Sequence, residues 1–231
     1  MKSKPRLIQK EKGKITYQMP DFAQLNTSAI DKLDWPKGIP VLWLKYDENL
    51  DDCYGELDKR ISRKYIVRVI YSADKKDIHL KAGKEPAGAI KVRKSLTAAE
   101  LLALYLETHA KSFIAPWAGQ LDSKYIDEVS SFIKEDLPVS KSLSFFKDKS
   151  PVGLVLLTEL GSGAGLISWI WFAPSLSIAE RRKAHNLFAA WLRNGKYPQI
   201  KSVVHSFNLR SNRFFIKMGF HTQCIAITRR S

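Results

Sequence analysis

The densest group of residues able to do chemistry is Ser177-Ile-Ala-Glu180-Arg181-Arg182-Lys183. Ser-x-x-Glu is capping-box spacing, in which hydroxyl and carboxylate each satisfy a free backbone N–H at a helix start. Three cations in the next turn, with the amides and dipole of a helix N-terminus, make a place for an anion. Glu180 opposes that anion and the three cations offset it. The alternative is a solvated first turn that holds nothing. Other polar candidates stand apart: Glu159 closes one strand, His205 and Ser206 end another, and Ser211 lies on a short helix. The two cysteines, Cys53 and Cys224, have no metal-ligand spacing. No metal is expected, and reduced thiols point to a cytoplasmic compartment.

The elements that must position these groups run from Gly165 to Phe220. Gly165-Leu-Ile-Ser-Trp-Ile-Trp-Phe172 is apolar, β-branched and aromatic, which predicts a buried strand ended by Ala173-Pro174. Leu187, Phe188, Trp191 and Leu192 follow at helical spacing, and Gly195 stops the helix. Gln199 to Phe207 reads as a second strand. Asn208 opens a short helix that Gly219 closes. Strand, helix, strand in one run predicts a crossover with two parallel strands.

The last helix, Asn208-Leu-Arg-Ser211-Asn212-Arg-Phe-Phe215-Ile-Lys217-Met-Gly219-Phe220, resembles the Asn-x-x-Ser/Ala…Tyr-x-Lys-Leu-Gly-Phe segment of the GNAT superfamily of acyl-CoA-dependent acyltransferases. Ile90-Lys-Val-Arg93-Lys-Ser-Leu-Thr97-Ala-Ala-Glu100-Leu101 resembles the opening of such a domain, a strand with an alternating Arg leading through a capping box into the first helix. A second helix is expected over Ser123–Glu135, and an antiparallel pair over Ser142–Phe146 and Val152–Leu157. With a last strand at Thr222–Thr228, the order from Ala89 is βααβββαβαβ. The fold class is therefore α/β in the mixed α+β sense, a GNAT-like domain over 89–231 with a mixed, mostly antiparallel sheet.

The resemblance implies an N-acyltransferase that moves an acetyl or other acyl group from acyl-CoA to an amine. It places pantetheine against the backbone of Trp171, Phe172 and Ala173, a ligand pairing as an added strand would. It places the pyrophosphate at Arg181, Arg182, Lys183 and Ala184. The family's Arg/Gln-x-x-Gly-x-Gly/Ala glycines are absent, Ala184 and Asn186 standing in their stead. Asn208 matches the Asn whose amide reaches the pantetheine arm, or it caps the last helix. The Tyr that returns a proton to the leaving thiolate is Phe215 here, which leaves Ser211 or Ser206 as a weak substitute. Glu159 and His205 are the candidate bases, or else a solvent-facing turn residue and a hydrogen-bonded strand residue. The acceptor side falls to the segment with His109, Phe113, Trp117 and Gln120.

Upstream, residues 1–15 read as a basic flexible arm. Residues 16–88 read as a β-containing region of unknown role, with strands at Ile39–Tyr46, Tyr65–Tyr71 and Asp77–Lys81 and a short helix near Thr27–Leu33. Lys84–Gly88 marks a boundary. The 231 residues are 45% hydrophobic and carry a formal net charge of +15, which favours anionic partners: CoA phosphates, nucleotides or RNA through a basic surface. The N-terminus lacks the apolar core of a signal peptide, and Gly161, Gly163 and Gly165 interrupt the apolar run 151–174, so no membrane span is expected. Two other readings stay open beside the acyltransferase, an aminoacyl-tRNA-dependent transferase of related fold and a catalytically inactive GNAT-like binding module. A homodimer also remains open.

Overall fold

The computed structural model describes residues 4–11, 13–51, 54–61, 64–81, 90–93, 96–121 and 123–230. The strands are β1 (Arg6–Glu11), β2 (Lys14–Met19), β3 (Val41–Tyr46), β4 (Tyr65–Asp74), β5 (Lys91–Arg93), β6 (Lys141–Lys147), β7 (Ser150–Glu159), β8 (Gly165–Phe172), β9 (Gln199–His205) and β10 (His221–Arg229). The α-helices are α1 (Thr27–Asp31), α2 (Tyr54–Ile61), α3 (Ala98–His109), α4 (Ala115–Trp117), α5 (Ser123–Ser131), α6 (Ile178–Arg193) and α7 (Leu209–Lys217). The chain divides into two compact units, one of residues 1–73 with 201–230 and one of residues 74–200.

In the first unit β10 is the central strand, antiparallel to β3 on one side and to β4 on the other. β2 lies parallel to β3, and β1 closes a hairpin on β2 through Gly13 at φ 79°. Leu42, Leu44, Val67, Val69, Tyr71, Ile225 and Ile227 point to one face and are buried. The α-helices among the described residues of the unit sit there: Asp31 of α1 accepts from the Tyr65 hydroxyl, Thr27 of α1 reaches the Arg60 carbonyl of α2, and Phe215 of α7 stacks on Tyr71. Gly219 at φ 89° ends α7, and Phe220 N–H closes back on the Phe215 carbonyl at 3.1 Å.

In the second unit β5, β6, β7 and β8 form an antiparallel run. Asp148 and Lys149 both adopt positive φ (48° and 70°), the tight turn that joins twisted strands β6 and β7. Arg93 at the end of β5 grips the Glu100 carboxylate at 2.9 and 3.2 Å, and that carboxylate also accepts from the Thr97 N–H at 2.8 Å. The strand's alternating Arg is thus the anchor of α3. Leu101, Leu104 and Tyr105 of α3 pack with Leu154 and Leu156 of β7 and with Trp169 and Trp171 of β8.

Several expectations change. The basic arm is not a loose tail, because Arg6–Glu11 pairs along β2 as an edge strand. Asp77–Lys81 is not a strand: a single 3-10 turn at Lys75–Asp77 replaces its start, and Asn186 holds Lys81 by its main chain, donating to its carbonyl (3.1 Å) and accepting from its N–H (2.8 Å). The expected boundary at Lys84–Gly88 lies outside the described residues. The segment after His109 is not an open loop but continues helically through a π turn at Ala110–Ile114 into α4. No helix among the described residues is long and apolar enough to cross a membrane.

Candidate functional site

The residues expected at the acyl donor lie in the second unit, where β8 hands over to α6. Ala173 N–H donates to the Val152 carbonyl at 2.8 Å. Peptide groups alternate along a strand, so Ala173 and Trp171 turn theirs toward β7 while Phe172 directs its N–H and C=O to the other edge. Of the three expected docking residues, Phe172 alone turns its peptide away from β7. Its ring is anchored on the sheet face, tilted on Phe145 at 5.4 Å and edge-on to His185 at 4.8 Å. Gly153 makes room for this: a Cβ there would lie 2.8 Å from the Phe145 ring and 2.9 Å from that of Phe172.

Next comes the anion position. Ser177 caps α6, and the reciprocal capping box predicted from Ser177 and Glu180 is present in full. The Glu180 carboxylate accepts from the Ser177 N–H at 2.9 Å and lies 2.7 Å from the Lys147 ammonium. The Lys147 hydrogen bond and the cap together hold its carboxyl down to about 2. The helix start is therefore already supplied with a negative charge from its own chain. Arg181 turns back to the Pro174 and Leu176 carbonyls at 3.2 and 3.4 Å, bracing the turn rather than facing outward as a free cation. Arg182 and Lys183 are half-buried, and Ala184 is fully buried, so no side chain at 184 faces a ligand. Asn186, the other stand-in for a loop glycine, is spent on Lys81.

Glu159 lies elsewhere. It pairs with Gly165, at the opposite end of β8 from Phe172, seven residues and thus roughly 23 Å of extended strand away. Its carboxylate pairs with Lys196 and accepts from the Tyr197 hydroxyl at 3.0 Å, and those hydrogen bonds, Lys196 first, lower its pKa. A carboxylate so held is a poor proton acceptor. Between Glu159 and Phe172, the β7–β8 register shifts once, leaving Ser168 as an extra residue whose hydroxyl meets Thr158 at 3.1 Å.

The segment assigned to the acceptor side holds a buried aromatic cage. His109 stacks on Tyr105 (5.1 Å) and Tyr125 (5.7 Å), meets Trp169 edge-on at 5.0 Å, and shares a hydrogen bond between Nε2 and the Tyr125 hydroxyl. Burial lowers its pKa to about 4, so the ring is neutral at neutral pH. Beside the cage, a cavity of about 460 Å³ opens among Leu101, Leu102, Ile133, Leu137 and Trp191, with Ser140, Lys141 and Ser142 as its polar part. A sequence scan has no signal for it, since its walls come from four separate elements.

The motif helix α7 belongs to the first unit. Asn208 is its N-cap, accepting from the Ser211 N–H at 3.2 Å. Ser211 is half-buried one turn on. Phe215 is buried to 1% exposure, stacked at 5.9 Å on Tyr71 and edge-on at 5.2 Å to Phe220. It is a core ring in this unit. His205 stacks on Phe207 at 4.9 Å, and burial, with Arg68 and Arg230 nearby, pushes its pKa down to about 3. An imidazole that resists protonation this strongly is a weak base.

Sequence reasoning missed Asn212 as an organiser. Fully buried, it donates to the His205 and Asn208 carbonyls (3.0 and 2.8 Å) and accepts from the Tyr71 hydroxyl at 2.8 Å. An amide inside an otherwise amphipathic helix, four residues after the N-cap, is the signal that could have found it.

No protein-family model and no curated protein matches the chain. Solved structures do. A functionally unknown conserved protein from Staphylococcus epidermidis aligns with a TM-score of 0.50 at 13% identity, over 94% of this chain and 83% of its own. A GCN5-related N-acetyltransferase from Sphaerobacter thermophilus aligns at 0.46 with 14% identity, over 98% and 75%. Another from Kribbella flavida aligns at 0.46 with 11% identity, over 81% and 68%. At such identities the first likeness is one of fold, and the other two are weaker. From Lys91 to Arg229, with the short α4 counted as the continuation of α3, the elements run βααβββαβαβ, a mixed α+β fold.

Proposed function

We propose that this chain is an N-acyltransferase that takes its acyl group from a CoA thioester and passes it to an amine. The observation that carries this reading is the capped start of α6 directly after β8, inside a GNAT-like element order. The resemblance has the amide-bearing arm of CoA pair with backbone groups at the end of β8, whatever the side chains. In the reaction the amine nitrogen attacks the thioester carbonyl carbon, the C–S bond breaks, and the thiolate takes up a proton.

None of the residues expected at these positions is a strong partner in either proton transfer. His205 is neutral and weakly basic, Glu159 is tied to Lys196, and Phe215 carries no proton to give. Solvent then removes the amine proton, and the enzyme contributes chiefly by holding donor and acceptor in position. An amine of ordinary basicity has a pKa near 10.4. The rate therefore rises with pH up to that region, with no limb from His205.

A second reading is a non-catalytic module of the same fold. The Glu180 carboxylate at the helix start and the buried Phe215 favour it. The experiment that separates the two is release of free thiol from acetyl-CoA by the full chain in the presence of a panel of primary amines. Amine-dependent thiol release supports the transferase; CoA binding without release supports the module. An aminoacyl-tRNA donor is the remaining alternative, tested by acyl transfer from charged tRNA in place of acetyl-CoA.

A further inference from the structure

The first unit has a sheet face that none of its helices covers. Residues alternate along each strand, so Trp43, Ala226 and Arg68 lie side by side on one face, as do Thr16 of β2 and, one step along, Cys224 and Ile70. α1, α2 and α7 all pack on the other face, against Tyr65 and Tyr71. Thr16, Ile70, Cys224 and Ala226 at the centre of this face are buried, and cations surround them. Burial raises the Cys224 thiol, with Lys45, Lys14 and Lys201 near enough to oppose the shift, and burial lowers the His205 ring, with Arg68 and Arg230 adding to it. By the β1–β2 register, Arg6 adds a sixth cation and Glu11 one acid at the outer strand. Set among the cations is Trp43, its ring 4.9 Å from the Lys14 ammonium and packed over Ile70, Cys224 and Ala226. Lys45 is exposed, and Val203 beside Lys201 is 44% exposed.

The geometry points to this face as a platform for single-stranded nucleic acid, RNA above all. A sheet set with cations and an aromatic ring offers phosphates a counter-charge and bases a stacking surface. Among the described residues the face carries six cations against two acids, Glu11 and Asp47, the latter accepting from Gln18 Nε2 at 3.0 Å, and that excess supplies the charge complementarity. A sheet face enters a duplex only by widening its minor groove with protruding apolar wedges, and an anionic membrane wants a protruding apolar crest, whereas Trp43 is seated in the face. The inference is independent of the acyl donor, since it uses the first unit alone.

The test is fluorescence anisotropy of the full chain with a labelled single-stranded uridine oligonucleotide of about twelve nucleotides. Parallel arms use a DNA duplex of equal length and vesicles of equal parts phosphatidylserine and phosphatidylcholine. Log affinity should fall linearly with log salt, with a slope of about −2 to −4 for three to six neutralised phosphates. Trp43→Ala should weaken binding about tenfold and Trp43→Phe much less. Lys45→Gln with Lys201→Gln should flatten the slope by about 1.4. Lys59→Gln with Lys64→Gln, the same charge change placed on α2 and just before β4, should leave the slope nearly unchanged. Equal losses from both lysine pairs would mean diffuse attraction and overturn the proposal. So would preference for the duplex or the vesicles, or no binding at low salt.

Discussion

The Lys147 ammonium lies 2.7 Å from one oxygen of Glu180, whose other oxygen accepts from the Ser177 N–H at 2.9 Å. Two elements far apart in sequence, the end of β6 and the first turn of α6, thus share one carboxylate. Any phosphate brought to this helix start competes with it. Glu180→Gln keeps a side chain able to cap, removes the negative charge and releases Lys147. The expected result is roughly two- to fivefold tighter CoA binding by calorimetry. Unchanged affinity would mean the phosphates are held elsewhere.

Acid should weaken the fold through the two capping boxes. Glu180, held by Lys147, and Glu100, held by the Thr97 N–H, both have carboxyls near 2 in the folded chain against an ordinary 4.5. A depressed folded pKa gives stability that is complete above the unfolded value and lost as pH falls through the folded one. The loss therefore runs from about pH 4.5 down to about pH 2. Urea unfolding across that window should show a shallower fall for Glu100→Gln with Glu180→Gln than for the natural chain.

His109 should act in a higher window. Burial lowers its pKa to about 4, so the folded chain binds fewer protons than the unfolded chain below the ordinary value of 6.5. Stability should drop as pH falls from 6.5 toward 4. His109→Leu should flatten that stretch of the curve, even where it lowers stability at pH 7 by losing the Tyr125 hydrogen bond.

Asn212→Ala should cost about 1–3 kcal/mol, because it removes the buried acceptor of the Tyr71 hydroxyl and one of the donors to each of the His205 and Asn208 carbonyls. Tyr71→Phe should cost about 1 kcal/mol. The two changes together should cost less than their sum, measured by urea unfolding in a double-mutant cycle.

Phe215→Tyr restores the residue type that the motif resemblance asks for, yet the ring here is enclosed by Tyr71, Phe214 and Phe220. Adding a hydroxyl should lower stability by about 1–3 kcal/mol and leave thiol release unchanged. A rise in turnover would show that position 215 reaches the thiolate.

The crossover unit was legible because its apolar runs are long and bounded by Pro174, Gly195 and Gly219, and both capping boxes were legible because three-residue spacing is a local property. β1 was hidden because its two apolar residues, Leu7 and Ile8, are adjacent rather than alternating and so give no apolar face to read, and the strand is held by backbone pairing to β2. The partners that decide the site were beyond a local reading. Lys147 meets Glu180 across two strands, and Tyr71 meets Asn212 across 141 residues. The same distance effect misdirected Glu159, whose type suits a base but whose place on β7 sets it beside Lys196.

The most direct measurement is calorimetric titration of the full chain with acetyl-CoA, followed by thiol release with added amine. The account predicts saturable one-to-one binding, tighter in Glu180→Gln, and amine-dependent thiol release that climbs with pH toward 10. No heat from either protein at millimolar acetyl-CoA would contradict it.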